Sequence, residues 1–590
     1  MRILEYIITP IYRQPIFFLT TFVILSRTAI ANLFNIANGL PWEQVPYHFA
    51  DICLCAIFAY IGSLCIRQNW MKYILYLINA ILILVIYFLK FNFNYDLSPL
   101  TIRLVFETNT NEAVGFLNTF ATSIETLRAY FIAIFYLIIV ITLEFCFPIA
   151  YLHNILRKNC ILRGGVYIIL FGGIIWGAFS YFHLFKCESI IETQYWNGNP
   201  YISSHNDISK IIYSVYEIHL DGVETNKQVD ITLNVSEEYV TCSFDDKVAV
   251  IYVLGESYIK HHSQLYGYPL ATTPHMVNEY QNGNLFFFTN VITPYNYTIN
   301  ALKNIFSCND INRGEWWSDY PQFPYLFKLA GYDVTYFDNQ FTYIDEGKSD
   351  YSLQGLLFND RLLNTCYSCV NNTCYKYDGQ LIADFLVQIA TDKTKSFKIL
   401  HLQGQHIAPQ DRYPVDMFSC FNADSLNFRS EPWLNKEKKE YIAAYDNATL
   451  YNDYVMGLLF DYFRNKNAVI LYHSDHGEEA YDYRDMCGRK FVEDLRGKDF
   501  RRCQYDVPFI IWCSDIYMRN HRDVLENIKA SLNKPFMIDN ICQVLFHIGG
   551  VNTSFYHKER DILSEDFVSI DRYVDVVGNK YVYNYDEITR

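Results

Sequence analysis

Acidic and histidine side chains follow several apolar, β-branched runs of this sequence, at the points where strands would end. Glu256 comes directly after one run, and Asp475 and His476 come after another. Carboxylate oxygens and imidazole nitrogens both bind zinc, and a tight turn at Gly477 would let the Asp–His pair reach one point. We therefore expect a divalent metal there, zinc by preference; the alternative is a solvated loop. Glu256 either joins that site or caps the following helix.

A third strand end carries two histidines. His401 lies inside the apolar run, which predicts a hydrogen-bonded histidine of the core. His406 lies beyond the run among polar and turn residues, so we favour it as a site residue. Arg412 follows closely and offers a contact for phosphate.

Thr298 precedes a predicted helix that includes Ala301. By default such a threonine caps the helix. The same position places backbone donors and the positive end of the helix dipole in front of an incoming phosphate. A metal-bound hydroxyl there can lose its proton and attack phosphorus. Local sequence is consistent with both roles.

These residues need a sheet to bring them together. The apolar runs alternate with helical stretches, which predicts an α/β fold with a mostly parallel sheet. Ligands in such sheets bind beyond the carboxyl ends of the strands. The runs that we interpret as strands are 248–254, 332–337, 397–402, 468–472 and 507–512.

The first third of the chain is rich in long apolar segments, unlike the rest. Five apolar segments approach the roughly 20 residues that cross a bilayer, at 15–37, 52–66, 73–89, 129–152 and 164–182. Lys and Arg near their ends place the N-terminus in the cytoplasm and everything after the fifth span outside it. We predict a transmembrane domain over 1–187, a connecting helix and linker over 188–245, and an exported catalytic domain over 246–590.

Composition narrows the function classes. Hydrophobic residues make up 51% of the chain while its mean hydropathy is only +0.01, so the apolar residues are concentrated rather than spread. The net charge of −15 argues against a nucleic-acid partner. Cys366, Cys369 and Cys374 cluster in a polar loop, a pattern typical of disulfides in an exported domain. A zinc knuckle or a redox CxxC would need partners that the sequence lacks.

Several motifs occur together in one order. They are LGES at 254–257, LYGYP at 265–269, TP at 273–274, NV at 290–291 followed by Thr298, GQH at 404–406, RYP at 412–414 and SDHGE at 474–478. In this order the chain resembles the phosphoethanolamine transferases that modify lipid A, of the alkaline phosphatase/sulfatase superfamily. The resemblance spans nearly the whole chain, since those enzymes also have five spans before an exported catalytic domain.

The resemblance implies a mechanism and a setting. Thr298 would be nucleophile and zinc ligand, with Glu256, Asp475 and His476 completing the first zinc site. His406 would lie near a second zinc or the phosphate, and Glu112 near the ethanolamine of the donor. The donor would be phosphatidylethanolamine, the acceptor an envelope glycolipid or glycan, and the protein a monomer of the inner membrane with its catalytic domain in the periplasm.

The sequence also departs from the pattern. Colistin-resistance members bracket the nucleophile with two cysteines, where this chain has Pro294 and Asn304. A further histidine of the family falls near Gly488 and is absent. One zinc site is therefore expected and a second is in question. The acceptor stays open between lipid A, a lipopolysaccharide core sugar and another glycan.

Other functions share parts of this pattern. A phosphoglycerol transferase keeps the spans and the threonine nucleophile and changes the group that is transferred. A sulfatase would need a Cys/Ser-x-Pro-x-Arg motif, which is missing near residue 298. A non-catalytic envelope protein predicts neither a metal nor a phosphorylated threonine.

Overall fold

The structure is a computed structural model of the chain. It describes residues 2–34, 42–93, 97, 101–102, 120–146, 159–190, 192–193, 206–340, 359–389, 395–406, 408–489, 498–574 and 583–589. The chain divides into two compact units, Met1–Asp221 and Gly222–Arg590. The helix Asp207–Leu233 runs across that division, inside the segment in which a connecting helix was predicted.

The first unit contains five helices that are long and apolar enough to cross a membrane, as predicted. A helix satisfies its backbone hydrogen bonds internally, which is why apolar runs of this length form helices in lipid. The helices of this unit are α1 Arg2–Arg13, α2 Pro15–Phe34, α3 Val45–Cys65, α4 Asn69–Phe93, α5 Ile124–Cys146 and α6 Cys160–Leu184, followed by α7 Asp207–Leu233. Helix α3 begins earlier than the predicted span because the polar side chains near its start interrupt the apolar run.

Two charged residues inside the predicted spans, Arg27 and Glu144, have partners of opposite charge. Arg27 of α2 donates to Asp207 at 2.5 Å. Lys72 of α4 donates to Glu144 of α5 at 2.6 Å, and Tyr76 donates to the same carboxylate at 2.8 Å. Charges at membrane depth are costly unless they meet a partner of opposite sign, so these pairs explain how Arg27 and Glu144 are accommodated within predicted spans.

The strands of the second unit are β1 Val240–Cys242, β2 Ala249–Gly255, β3 Leu285–Phe287, β4 Val291–Ile292, β5 Asp333–Asp338, β6 Cys369–Val370, β7 Ser396–His401, β8 Ala468–Ser474, β9 Phe509–Cys513, β10 Phe536–Met537, β11 Val551–Thr553, β12 Tyr573–Val574 and β13 Tyr583–Asn584. Seven of them form one sheet of order β3-β9-β8-β2-β7-β5-β6. Four predicted strands form β2, β5, β7 and β8, which run parallel to their neighbours in this group. The fifth, β9, runs antiparallel to β8, because the connection between them begins and ends at the same edge of the sheet.

Helices cover both faces of this sheet, so the mostly parallel α/β fold predicted from the sequence is confirmed. Along β2, Val250, Tyr252 and Leu254 pack into one hydrophobic cluster, while Ile251 and Val253 pack into another. Burial on both faces is the reason why the strand reads as a continuous apolar run. The helices are α8 Pro274–Gln281, α9 Thr298–Ile305, α10 Phe323–Leu329, α11 Asp360–Cys366, α12 Asp378–Gln388, α13 Val415–Phe418, α14 Lys436–Phe463, α15 Lys498–Tyr505, α16 Asp515–Asn520, α17 Arg522–Ser531, α18 Ile541–Gly549 and α19 Tyr585–Thr589.

Cys366 is a free thiol, so the disulfide predicted for it is not formed. Its side chain is buried in the hydrophobic cluster on one face of the sheet, whereas Cys369 packs against the cluster on the other face. Cys369 donates to Gln388 at 2.9 Å. Closeness in sequence was misleading here, because the short segment between the two cysteines crosses the edge of the sheet.

Candidate functional site

The site lies where β2 and β8 end side by side. Their register pairs Gly255 with Ser474, so the next residues, Glu256 and Asp475, leave the sheet at the same level. His476 follows directly. The structure thus brings together the first three residues that the sequence singled out.

Glu256, Asp475 and His476 form a compact buried cluster. Each is 0% exposed, and their ligand-type atoms all lie within 4.8 Å of one another. The Nε2 of His476 is 3.1 Å from Asp475 Oδ2 and 3.3 Å from Glu256 Oε1. No other such group occurs among the residues that the structure describes.

Thr298 is the first residue of α9, and Tyr297 occupies the capping position before it. The threonine is therefore not the helix cap that its position suggests by default. Its Oγ1 lies 3.2 Å from Glu256 Oε2, 3.3 Å from Oε1 and 3.1 Å from His476 Nε2. The hydroxyl points at the acidic and imidazole groups rather than at its own helix.

This arrangement fits a zinc ion. Four ligand atoms placed tetrahedrally about 2.0 Å from zinc lie about 3.3 Å from one another. The contacts of 3.1–3.3 Å among Thr298, Glu256 and His476 match that spacing. In addition, Asp475 Oδ2 is a buried carboxylate oxygen without a hydrogen-bond donor, which a cation would satisfy.

The electrostatics of the cluster also favour a cation. Burial and the adjacent Glu256 carboxylate raise the pKa of Asp475 well above its ordinary value, because two negative charges repel each other in a dry site. Burial and the Arg489 guanidinium lower the pKa of His476, which keeps its imidazole neutral. Neutral imidazole is the form that binds a metal.

Local backbone conformation holds the two carboxylates. Ser257 has a φ of +55°, a region that residues other than glycine seldom adopt. In this conformation its N–H donates to Asp475 Oδ1 at 3.1 Å, while its hydroxyl donates to Glu256 Oε1 at 2.6 Å. Strained residues of this kind cluster at functional sites.

A buried chain of polar side chains reaches Glu256 from the other side. The amide nitrogen of Gln340 donates to Glu256 Oε2 at 3.2 Å and lies 3.1 Å from His401 Nε2. His401 Nδ1 in turn lies 2.8 Å from Asp338 Oδ2. His401 is thus the satisfied core histidine that was predicted. Gln340 was missed, although it follows β5 as the other site residues follow their strands.

His406 is half-buried at the end of the β7 segment. Burial lowers its pKa to about 3, against the attraction of Glu256 and with the help of Arg412 and Arg489. It does not belong to the three-residue metal cluster among the described residues. Glu112 lies outside the described residues.

Arg489 is the second residue that sequence reasoning missed. Its Nη1 lies 2.6 Å from His476 Nε2, and its guanidinium lies over the Tyr297 ring with 5.5 Å to the centroid. Its Nε is 3.7 Å from a carboxylate oxygen of Glu478. The available signal was its place beside Gly488, where the resemblance led us to look for a histidine.

The segment that contains the site is similar to a known protein family. The sulfatase family profile matches residues 249–537, which include all three members of the acidic and histidine cluster. The match therefore likens this α/β segment to the sulfatases, and the same chain carries five apolar helices.

Several relatives of the chain are named phosphoethanolamine transferases. Phosphoethanolamine transferase EptC of Escherichia coli K12 is 28% identical over 341 residues, 57% of this chain and 56% of the relative. The match thus spans about half the length of that protein. The resemblance to this group predicted from motifs is confirmed.

Solved structures agree on the fold. The C-terminal periplasmic domain of E. coli EptC is 26% identical with a TM-score of 0.52, covering 59% of this chain and 96% of that one. A zinc complex of the same domain has 24% identity, a TM-score of 0.50 and the same coverage. The integral membrane lipooligosaccharide phosphoethanolamine transferase A of Neisseria meningitidis covers 92% of this chain and 96% of its own, with 16% identity and a TM-score of 0.56.

Proposed function

We propose that this membrane protein transfers phosphoethanolamine from phosphatidylethanolamine to an envelope glycolipid through a covalent intermediate on Thr298. The observation that carries the proposal is the position of Thr298 Oγ1, within 3.3 Å of both Glu256 and His476. The names of the relatives support phosphoethanolamine as the group transferred.

The reaction has two displacements at phosphorus. In the first, Thr298 Oγ1 bonds to phosphorus as its proton leaves, and the bond from phosphorus to the diacylglycerol oxygen breaks; that oxygen takes up a proton. In the second, an acceptor oxygen loses its proton and attacks the phosphothreonine. The bond from phosphorus to Oγ1 then breaks, and Thr298 regains its hydroxyl proton.

The residues of this chain orient the reacting groups. Glu256, Asp475, His476 and Thr298 would hold a zinc ion, which when bound supplies a Lewis acid that favours the ionised threonine and polarises phosphoryl oxygen. Ser257 and Gln340 fix the carboxylate of Glu256 by hydrogen bonds at 2.6 and 3.2 Å. Thr298 begins α9, so the positive end of that helix would face a phosphate bound at its hydroxyl.

The setting is part of the same proposal. The five apolar helices anchor the chain in a membrane, and we place it in the inner membrane, as a monomer, with the catalytic domain in the periplasm. The acceptor would be lipid A or the lipopolysaccharide core. His406 would bind the phosphate or a second metal, and Glu112 would contact the ethanolamine of the donor.

Replacement of Thr298 tests the mechanism. Thr298→Ala in the full chain should abolish transfer from a fluorescent phosphatidylethanolamine and remove the phosphoethanolamine adduct seen by intact-protein mass spectrometry. Thr289→Ala is the matched control, because that exposed threonine lies outside the site. Transfer by Thr298→Ala at the wild-type rate would show that Thr298 is not the nucleophile.

Analysis of the transferred head group separates the two related activities. A phosphoethanolamine transferase adds ethanolamine phosphate to the envelope glycolipid, whereas a phosphoglycerol transferase adds glycerol phosphate. Glycolipids from cells with and without the protein should differ by the ethanolamine-containing group. A glycerol phosphate adduct would instead establish the alternative.

A further inference from the structure

Arg489 reaches into the centre of the site. Its Nη1 is 2.6 Å from His476 Nε2, and Thr298 Oγ1 is 3.1 Å from that same nitrogen. The guanidinium and the hydroxyl of Thr298 therefore share one immediate neighbour.

The charge of the site calls for such a cation. Glu256 and Asp475 bring two carboxylates, which a divalent ion offsets without surplus. A phosphodiester then adds a negative charge, and its charge shifts onto other oxygens as the reaction proceeds. Preorganised positive groups that face this charge are a large part of catalysis of phosphoryl transfer.

The guanidinium of Arg489 is also held in place. The Tyr297 ring lies under it, and a Glu478 carboxylate oxygen lies 3.7 Å from its Nε. These contacts fix the plane of the group from two sides. A planar guanidinium with its orientation fixed suits two oxygens of one phosphate better than a flexible ammonium does.

The Nη1 contact of Arg489 differs from that of a salt-bridging arginine. Elsewhere in this unit Arg560 donates two bonds to Glu315, at 2.9 and 2.6 Å. Arg489 instead directs Nη1 at an imidazole nitrogen, the atom that would face a metal. A zinc ion bound by His476 would take the lone pair of that nitrogen, and the guanidinium would then donate to an anionic oxygen beside it instead.

We propose that Arg489 binds the non-bridging oxygens of the phosphoryl group while Thr298 attacks, an inference that rests on the proposed function for the identity of that group. Arg489 would thereby supply the positive charge that a second metal ion would otherwise provide.

The test uses the full-length protein in detergent, loaded with zinc, and compares Arg489→Gln and Arg489→Lys with wild type. Arg464→Gln is the matched control, since that arginine pairs with Glu279 before β8 begins. Three quantities are measured: bound zinc, the Kd for inorganic phosphate and the rate of transfer from phosphatidylethanolamine.

We expect Arg489→Gln to keep its zinc, to bind phosphate at least about tenfold more weakly and to transfer about 100-fold more slowly, as when one preorganised donor is lost. The phosphate affinity and transfer rate of Arg489→Lys should lie between those of wild type and Arg489→Gln. Lysine keeps the positive charge but lacks the paired N–H donors of a planar guanidinium. The Arg464 variant should match wild type in all three quantities.

Two results would overturn the inference. One is unchanged phosphate affinity and transfer in Arg489→Gln; the other is loss of zinc from that variant, which would make Arg489 a support of the metal site. If the wild type binds phosphate through Arg489 yet transfers nothing from phosphatidylethanolamine, the proposed function fails and the phosphoryl-binding role stands.

Discussion

Glu256 is oriented by side chains that lie behind it. Gln340 donates to its Oε2, and His401 and Asp338 continue the chain of buried polar groups. Partners of this kind set the direction in which a metal ligand points, and their loss typically weakens metal affinity 10- to 100-fold. The residues in contact with the metal are therefore only part of what determines the site.

Gln340→Ala should weaken zinc binding by about 10- to 100-fold, because Glu256 loses a donor that fixes its carboxylate. Competition with a chelator of known affinity measures the change. Gln388→Ala is the control, since Gln388 is exposed on α12 and far along the chain from the cluster. Equal zinc affinity in both variants would show that Gln340 does not position Glu256.

At the scale of elements, the turn after β7 packs directly against the end of β2. Gly404 has a φ of +52°, and a Cβ there would lie 2.6 Å from the carbonyl oxygen of Glu256. Only glycine allows the two segments to approach this closely.

Gly404→Ala should therefore destabilise the protein by about 1–3 kcal/mol and also weaken zinc binding. The matched control is Gly283→Ala, which has a φ of +80° but open space around the new methyl group. That control pays the backbone strain alone and should keep its metal. Denaturant unfolding and zinc titration of both variants separate strain from displacement of Glu256.

The elements were more predictable than the contacts between them. The strands β2, β5, β7 and β8 were identified from continuous apolar runs, because burial on both faces imposes that composition. The strand β9 was identified in the same way, but its antiparallel direction was not, since strand direction depends on where the connection returns. Arg489 and Gln340 were missed for a related reason: their roles depend on which way a loop points the side chain, and neither residue type indicates that.

At the scale of the whole second unit, a buried ionic cluster joins segments that are distant in sequence. His262 lies 2.6 Å from Asp446 and 3.1 Å from Asp482. Tyr268 donates to Asp446 at 3.0 Å, and Arg429 donates to Asp482 at 2.8 Å. The cluster ties the loop after β2 to α14 and to the loop after β8.

Burial alone would lower the pKa of His262, but Asp482 and Asp446 raise it to about 10. The folded value thus exceeds the unfolded value of about 6.5. The charged imidazole contributes stability in full below about pH 6.5, and that contribution is lost as pH rises toward 10.

His262→Gln should accordingly cost about 3 kcal/mol at pH 6, as expected when one member of a buried ion pair is removed. Its disadvantage relative to wild type should shrink steadily toward pH 10. Thermal unfolding at several pH values measures this, with the exposed His219→Gln as control. A deficit that does not change with pH would mean that His262 is neutral in the folded protein.

The alternation of β2 between two hydrophobic clusters has a consequence for how this protein can vary. Adding one residue inside the strand would exchange its two faces and push Glu256 past the level of Asp475. Both core and site would be lost by a single insertion. A change of length is therefore tolerated in surface loops of this unit but not inside β2. The number of residues from the start of β2 to Glu256 has to stay constant, because it sets the level at which Glu256 meets Asp475.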